Sequence, residues 1–343
     1  MTQAISKLTI KGYKSIRSLE NFELRNLNIL IGANGGGKSS FLSFFEFLQA
    51  IAKEKGLPNF YVERKGGAYR FLYLGPIVTR SIKIELIMNS LPPYTKELYV
   101  TINDKFTAST YISTVGWDHA DVEIQDIEKH FSSYVVYHFQ DTSDFARLKL
   151  PTSEGNYDYL FTDASNLAPF LFRMKEKQPR DYQAIIEVVR LAAPFFDDFS
   201  FNINEQRGEI KWWWLQKGSD YKFHPSQISD GTLRFICLAT ALLQPNPPST
   251  ILLDEPELGL HPYALGLFAG LIQKASIKTQ VIVATQSAGL IDHFQPEDII
   301  LVERKNDESI FSRPDTEKLK IWLEDYSLGD IWSRNILEGT AGQ

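Results

Sequence analysis

The sequence predicts an α/β fold built around a glycine-rich loop. Three observations support this prediction: a glycine-rich loop between a buried strand and a helix, an apolar strand that ends at Asp254, and a buried strand at Gln280–Thr285. Short buried strands that alternate with helices are typical of parallel sheets. The chain has 343 residues, 43% of them apolar, which is enough for one core with an embedded lobe or for two domains.

The glycine-rich loop is Gly32–Ser39, which reads GANGGGKS and matches G-x-x-x-x-G-K-[ST]; it is called the P-loop below. Lys38 can reach the β- and γ-phosphates of a nucleotide, and Ser39 can ligate Mg²⁺. The backbone N–H groups and the positive end of the following helix favour the same anion. We therefore expect ATP or another nucleoside triphosphate, with Mg²⁺. The candidate nucleotide-binding residues are Asn34, Gly35, Gly36, Gly37, Lys38, Ser39 and Ser40.

The apolar strand at Ser249–Pro256 ends in two adjacent carboxylates. Asp254 is placed to hold Mg²⁺ through water, as the acidic partner of a P-loop does. Glu255 is placed to polarise an attacking water as a general base. Alone, this segment would suggest a core strand with a solvated turn. Together with the P-loop it predicts a catalytic site.

Ser229, Asp230 and Gly231 precede an apolar helix pattern, where Ser229 suits the N-cap position. Their position, ahead of an acidic strand in a chain with a P-loop, resembles the signature motif of ABC-type ATPases. In that superfamily the signature serine, glycine and helix N-terminus of one subunit close over the γ-phosphate that the other subunit's P-loop holds. The resemblance implies that Ser229 and Gly231 act in a homodimer or higher homo-oligomer.

Composition excludes several classes of function. The net charge of −6 provides no general basic field for nucleic acid, although a local basic strip stays possible. Cys237, the only cysteine, lies in an apolar helix pattern, which excludes a disulfide framework and favours a core position. The sequence contains neither a membrane-spanning stretch nor a signal peptide, so we expect a cytoplasmic protein without membrane contact. Trp212–Trp214 could stack on bases, but alternation along a strand favours core packing.

The coarse pattern predicts three segments. Residues 1–140 hold the P-loop and β-rich stretches that include Tyr69–Leu74, and residues 141–198 form a helical lobe centred on Thr162–Phe195. Residues 199–343 complete the core with the signature motif, the acidic strand and the strand at Gln280–Thr285. The stretch between Lys38 and Ser229 shows neither the length nor the heptads of a long coiled coil.

Further segments extend the resemblance to the whole chain. Ile10–Ile16 looks like the opening of SMC/RecF-type ATPases, and Asp254–Pro262 resembles their Walker B motif and D-loop. The chain is similar to ABC/RecF-like ATPases of the AAA_21 type in four segments: Tyr137–Ser143, Ser229–Arg234, Ala284–Ser287 and Leu323–Gly329. This implies a P-loop NTPase fold of ABC/SMC/RecF type with a β-rich subdomain and an embedded helical lobe. Such relatives often occur in bacterial defence operons beside a nuclease-like effector protein, which implies a partner of that kind.

The chain departs from the family pattern after the strand at Gln280–Thr285. Most ABC ATPases carry there a switch histidine that contacts the γ-phosphate, whereas this chain has Gln286. An amide can hydrogen-bond phosphate or water but cannot carry a proton, so we expect slow hydrolysis. Gln140, after a strand, is a candidate Q-loop residue that would contact Mg²⁺.

Four functions follow as alternatives. The favoured one is an ATP-dependent dimeric ATPase that gates an effector in anti-phage defence. The second is a RecF-like repair ATPase that binds DNA. The third is a scaffold that binds ATP without hydrolysing it. The fourth, a transporter subunit, is disfavoured because the stretch from Lys38 to Ser229 is much longer than in such subunits.

Overall fold

The computed structural model describes residues 4–89, 91–101, 103–112, 124–153, 155, 158–204 and 206–339. The chain forms two compact units. Unit 1 is drawn from residues 1–136, 248–254 and 279–343, and unit 2 from residues 137–247 and 255–278. In the part of the chain that the structure describes, no helix is both long and apolar enough to cross a membrane.

The strands in chain order are β1 Ile5–Tyr13, β2 Ile16–Glu23, β3 Leu27–Ile31, β4 Ser81–Met88, β5 Leu91–Val100, β6 Phe106–Ile112, β7 Tyr134–Tyr137, β8 Thr152–Ser153, β9 Phe196–Asn204, β10 Glu209–Gln216, β11 Lys222–Phe223, β12 Thr250–Asp254, β13 Gln280–Thr285, β14 Ile299–Lys305 and β15 Glu308–Ser312. The α-helices are α1 Lys38–Lys53, α2 Asn59–Arg64, α3 Ile124–Phe131, α4 Leu167–Lys177, α5 Pro179–Ala192, α6 Asp230–Leu243, α7 Pro262–Ser276, α8 Ala288–Ile291, α9 Thr316–Leu323, α10 Leu328–Ser333 and α11 Ile336–Gly339.

The mixed sheet of unit 1 positions the candidate site. Its strand order is β15-β14-β3-β13-β12-β7, and β3 pairs in parallel with β13 and β14, as β13 does with β12. All five residues of β3 and all six of β13 are buried, as expected for a parallel sheet covered on both faces. Parallel strands end at one edge, so the carboxyl ends of β3, β12 and β13 lie side by side there.

A second sheet of unit 1 is antiparallel, with the order β2-β1-β4-β5-β6. Helix α1 buries a run of aromatic side chains, among them Phe41, Phe44, Phe45 and Phe47, in a core shared with residues of both sheets. Burying aromatic side chains contributes roughly 1.5–3 kcal/mol each. The helix that begins at the P-loop is therefore firmly anchored in unit 1.

A buried charge pair joins β5 to α3. Lys96 Nζ donates to Glu128 Oε1 at 2.7 Å, and the Tyr94 hydroxyl donates to the same oxygen at 2.8 Å. Lys96 and Glu128 are both nearly inaccessible to solvent. Burial lowers the pKa of Lys96, and the hydrogen bond to Glu128 opposes that shift. Burial also raises the pKa of Tyr94. The pair holds α3 in place because each charge compensates the other.

Unit 2 contains a small antiparallel sheet, in which β10 pairs with β8, β9 and β11, and helices α4–α7. Trp212 and Trp214 on β10 are buried, and Trp212 Nε1 donates to the Leu148 carbonyl at 2.9 Å. The preference for core packing over base stacking is thus confirmed for these two rings. Cys237 on α6 is also buried, and burial raises the pKa of its thiol to about 12, as expected of a core residue.

One predicted strand is wrong. The segment Tyr69–Leu74 contains a 3₁₀ helix at Ala68–Phe71 rather than a strand. Its start is fixed by the Asp104 carboxylate, which accepts the Tyr69 N–H at 2.7 Å, and by Gly67, whose φ is +98°. Alternation of apolar residues cannot reveal a turn that a distant carboxylate stabilises. The pattern also failed to predict β2, whose buried residues do not alternate, and the short helices α2 and α3.

Candidate functional site

The P-loop is already closed around the ammonium group of Lys38. Lys38 Nζ donates to the Gly32 carbonyl at 2.7 Å and to the Ala33 carbonyl at 3.3 Å, and the side chain is buried. Gly37, which has no side chain, is the N-cap residue of α1, and the first turn of α1 contains no acidic residue. The helix therefore carries no acidic residue of its own at its positive end, which favours an anion at the loop.

Two strands, β14 and β15, pack closely against the P-loop. A Cβ atom on Gly32 would collide with the Val302 carbonyl on β14, and one on Gly37 would collide with the Ser309 side chain on β15. Ser309 is itself held by Ser15, whose backbone carbonyl accepts the Ser309 N–H at 2.7 Å. The two hydroxyl groups are 2.8 Å apart. Glycine is required at positions 32 and 37 because neighbouring groups occupy the space of a side chain.

The residues predicted to hold Mg²⁺ in unit 1 lie together. Ser39 Oγ donates to Asp254 Oδ2 at 3.4 Å, although the two residues are 215 positions apart in the chain. A hydroxyl and a carboxylate suit Mg²⁺, which takes oxygen ligands and usually keeps water and phosphate oxygens as the others. This donor set therefore fits the ion. No group of three or more His, Cys, Asp or Glu able to hold a metal occurs among the described residues.

The switch position contacts the P-loop directly. Gln286 follows β13, and its Nε2 donates to Asn34 Oδ1 at 2.7 Å. Both side chains are exposed at this edge of the sheet. Because an amide both donates and accepts, Gln286 can remain bonded to Asn34 while its oxygen engages water or phosphate. Unit 1 thus brings together Asn34, Lys38, Ser39, Asp254 and Gln286.

The predicted signature motif lies in unit 2, at the start of α6. Ser229 is the N-cap residue, and its Oγ accepts the Thr232 N–H at 3.2 Å and lies 2.8 Å from the Thr232 hydroxyl. A serine that caps a helix still has a hydroxyl proton to donate to an anion. A Cβ atom on Gly231 would collide with the Gly259 carbonyl, so a side chain at position 231 would displace the D-loop.

Glu255 and Gln140 also belong to unit 2. Glu255 has a left-handed backbone, with φ of +44°, directly after the last residue of β12. Non-glycine residues in this region cost of order 1–3 kcal/mol and often occur at functional sites. The Gln140 side chain is exposed, and its carbonyl accepts a hydrogen bond from the Arg234 guanidinium at 3.3 Å. The predicted roles of these two residues stay predictions.

Sequence reasoning missed several residues that shape the site. Val302 and Ser309 back the P-loop from strands near the end of the chain, and no local motif marks them. Arg234 stands within the signature segment, and a lone arginine in the first turn of an apolar helix could have drawn attention to it. His261 caps α7 by accepting the Tyr263 N–H at 3.2 Å.

Known proteins resemble this chain in sequence and in fold. A family model described as "AAA domain, putative AbiEii toxin, Type IV TA system" matches residues 27–292. The chain is 26% identical over 120 residues to the phosphate import ATP-binding protein PstB of Ehrlichia ruminantium, in strains Gardel and Welgevonden. That match covers 33% of this chain and 46% of each relative, so the chain spans about half the length of the curated relatives it matches.

Solved structures resemble the chain over most of its length. One is an SMC head bound to the C-terminal winged-helix domain of ScpA, with a TM-score of 0.64, 15% identity, and coverage of 92% of this chain and 99% of that one. Another, from Pyrococcus furiosus, is an SMC head with an extended coiled coil, bound to the C-terminal domain of ScpA. Its TM-score is 0.60 at 16% identity, covering 94% of this chain and 98% of that one. These similarities confirm the predicted fold class.

Proposed function

This chain belongs to the AAA_21 family of AAA-domain proteins, and from that premise we propose that it binds ATP·Mg²⁺, hydrolyses ATP slowly and dimerises around two nucleotides. The predicted resemblance is confirmed at the level of an ABC/SMC-like AAA ATPase. The dimer, the hydrolysis and the roles of individual residues belong to the proposal. We further propose that the dimer controls a partner protein.

The observation that carries the proposal is the preformed P-loop of unit 1. Lys38 is held in the loop by two carbonyl oxygens, and Ser39 lies beside Asp254. Donors that are already in place need no rearrangement when charge develops in the transition state, and electrostatic stabilisation of this kind is usually the main source of catalysis. This arrangement supports triphosphate binding by Asn34 and the loop that follows it, with Ser39 and Asp254 as the residues that would hold Mg²⁺.

Bound Mg²⁺ would neutralise charge that develops on the β- and γ-phosphate oxygens. Lys38 would bring its ammonium group to the same oxygens. Glu255 accepts a proton from the attacking water, which donates its oxygen to the γ-phosphorus as the bond to the leaving ADP oxygen breaks. Gln286 hydrogen-bonds water or phosphate without exchanging a proton, so turnover is slow. Gln140 is proposed to bind Mg²⁺ or its water.

Dimerisation follows from the signature motif. Ser229 and the N-terminus of α6 offer a hydroxyl donor, backbone N–H groups and a positive dipole end. In the proposed dimer these groups of one copy face the γ-phosphate on the P-loop of the other. ATP then stabilises the closed state because ATP, unlike ADP, supplies a γ-phosphate that both surfaces can bind. Hydrolysis removes that link and reopens the dimer.

Control of a partner is proposed by analogy. The family description mentions a toxin and a type IV toxin–antitoxin system, and the similar SMC heads are bound to domains of ScpA. We propose that the closed dimer recruits or restrains a nuclease-like effector protein, in anti-phage defence in the cytoplasm.

The test measures oligomeric mass by light scattering for the wild type and Glu255→Gln, with and without ATP·Mg²⁺. We expect ATP to convert Glu255→Gln to a lasting dimer, while the wild type dimerises and reverts as phosphate is released. Lys38→Met serves as the control that fails to bind the triphosphate. If the oligomeric mass of Glu255→Gln is the same with and without ATP·Mg²⁺, the proposed dimer mechanism is wrong. If Glu255→Gln releases phosphate as fast as the wild type, Glu255 is not the general base.

A further inference from the structure

A single arginine of unit 2 joins three segments that the proposed dimer uses. Arg234 lies in the first turns of α6, two residues after the Ser229–Thr232 cap. Its Nε donates to the Phe139 carbonyl at 3.1 Å, and one terminal nitrogen donates to the Gln140 carbonyl at 3.3 Å. The other terminal nitrogen donates to the Leu258 carbonyl. The guanidinium therefore connects the signature helix to residues 139–140 and to the D-loop.

The chemistry of these bonds demands an arginine. All three acceptors are backbone carbonyls, and each needs an N–H donor in a fixed direction. A guanidinium presents five N–H donors in a rigid plane and stays charged, whereas an ammonium group is a compact donor that cannot span three separated carbonyls. Hydrogen bonds from a charged group are stronger than neutral ones. Lysine at position 234 would retain the charge and lose most of the connections.

The backbone of the D-loop is shaped to meet this side chain. Gly259 has φ of +79°, and its would-be Cβ lies 3.2 Å from a terminal nitrogen of Arg234. The Gly259 carbonyl approaches Gly231 so closely that only glycine fits at position 231. The start of α6 and the D-loop are thus in contact through the backbone atoms of Gly231 and Gly259, and also through the side chain of Arg234.

Helix α6 has other reasons to fold. Leu233, Phe235 and Ile236 flank Arg234 and are buried, which anchors the helix in unit 2 through apolar packing. Residues 256–261, by contrast, form turns with local bonds such as Leu260 N–H to the Glu257 carbonyl. Arg234 therefore stabilises the arrangement of the loops and is not required for the helix to fold.

We propose that Arg234 is a positioning residue that holds the signature motif, the D-loop and the Gln140 segment in one arrangement, so that all three meet the nucleotide together. Arg234 acts through the backbone carbonyls of its neighbours. The functional role of Arg234 rests on the proposed ATP-dependent dimer. The three hydrogen bonds from Arg234 are a property of unit 2, and their effect can be measured without nucleotide.

The first experiment measures hydrogen exchange of the nucleotide-free protein for the wild type, Arg234→Met and Arg234→Lys. Arg180→Met is the matched control, since Arg180 is an exposed arginine of unit 2 on α5. We expect Arg234→Met to raise exchange about tenfold or more in residues 138–141 and 256–261, with α6 beyond residue 235 unchanged. Exchange in Arg234→Lys should lie between that of the wild type and that of Arg234→Met. Exchange in Arg180→Met should match that of the wild type. Unchanged exchange in both segments of Arg234→Met overturns the proposal.

The second experiment measures steady-state ATP hydrolysis by the same proteins. We expect Arg234→Met to lower kcat by about tenfold to a hundredfold with KM within about twofold, because the P-loop of unit 1 is untouched. If exchange is faster in both loops while kcat is unchanged, the positioning role of Arg234 is overturned. The same conclusion follows if KM rises by about tenfold to a hundredfold while kcat stays constant. If the wild type itself neither hydrolyses ATP nor dimerises, the proposed function fails. The exchange result alone then decides whether Arg234 holds the loops in place.

Discussion

Adding one methyl group to Gly37 tests whether the P-loop is shaped by its neighbours or only by its own sequence. Gly37 has φ of +124° and ψ of +4°, a conformation that residues with a Cβ atom rarely adopt. Its would-be Cβ also collides with the Ser309 side chain. Gly35, two residues earlier, has φ of +78° with nothing within 4 Å of its would-be Cβ. Substituting each by alanine separates backbone strain from collision.

The magnitude follows from these two effects. For Gly35→Ala we expect a loss of about 1–2 kcal/mol in the free energy of unfolding of unit 1, from the left-handed backbone alone. For Gly37→Ala we expect about 1–3 kcal/mol from the less tolerated φ and about 1–3 kcal/mol more from overpacking against Ser309. The variant at position 37 should therefore be the less stable by about 1 kcal/mol or more.

The assay is urea denaturation followed by pulse proteolysis, with peptides of α1 quantified by mass spectrometry so that unit 1 is followed separately. A double-mutant cycle with Ser309→Gly isolates the collision, and we expect a coupling of about 1–3 kcal/mol between positions 37 and 309. Equal stabilities of Gly35→Ala and Gly37→Ala, together with zero coupling to Ser309, would refute this account of the loop.

Three other predictions follow from the same geometry. Gln286→His should add an inflection near pH 6.5, the ordinary pKa of histidine, to the pH profile of kcat, and an unchanged profile from pH 5 to 8 would contradict a switch role. Ser39→Ala should raise the Mg²⁺ concentration for half-maximal hydrolysis by about tenfold while nucleotide binding measured in EDTA stays the same. Lys96→Met should leave the Glu128 carboxylate buried without its cation and lower the stability of unit 1 by about 3–5 kcal/mol in denaturant titrations, whereas Lys96→Met combined with Glu128→Leu should recover most of it.

The local parts of the site were predictable because each is encoded within a few consecutive residues. The P-loop needs glycines, a lysine and a hydroxyl at fixed spacing after a buried strand, and all stand in Gly32–Ser39. The strand that ends at Asp254 and the N-cap at Ser229 are equally local, since apolar runs and capping residues act over one or two turns. The division of the chain at residues 140 and 198 stays a prediction.

The parts that depend on neighbours distant in the chain were not predictable. The turn at Tyr69 depends on Asp104, and the shape of the P-loop depends on Val302 and Ser309. Without the fold, an arginine at position 234 is only one charged residue on an apolar helix. Such contacts are invisible to periodicity because periodicity records which face of an element is buried, and not what lies against it.

The sequence by itself determined the chemical groups of the site and the elements that carry them. Backbone propensity, capping and glycine content act between near neighbours and can be seen without a fold. Only the tertiary structure decided which groups meet. It brought Ser39 to Asp254 and Gln286 to Asn34, because parallel strands align their carboxyl ends at one edge of a sheet. It also gathered the three carbonyls around Arg234, since a contact between distant segments exists only after the chain has closed its loops and packed its core.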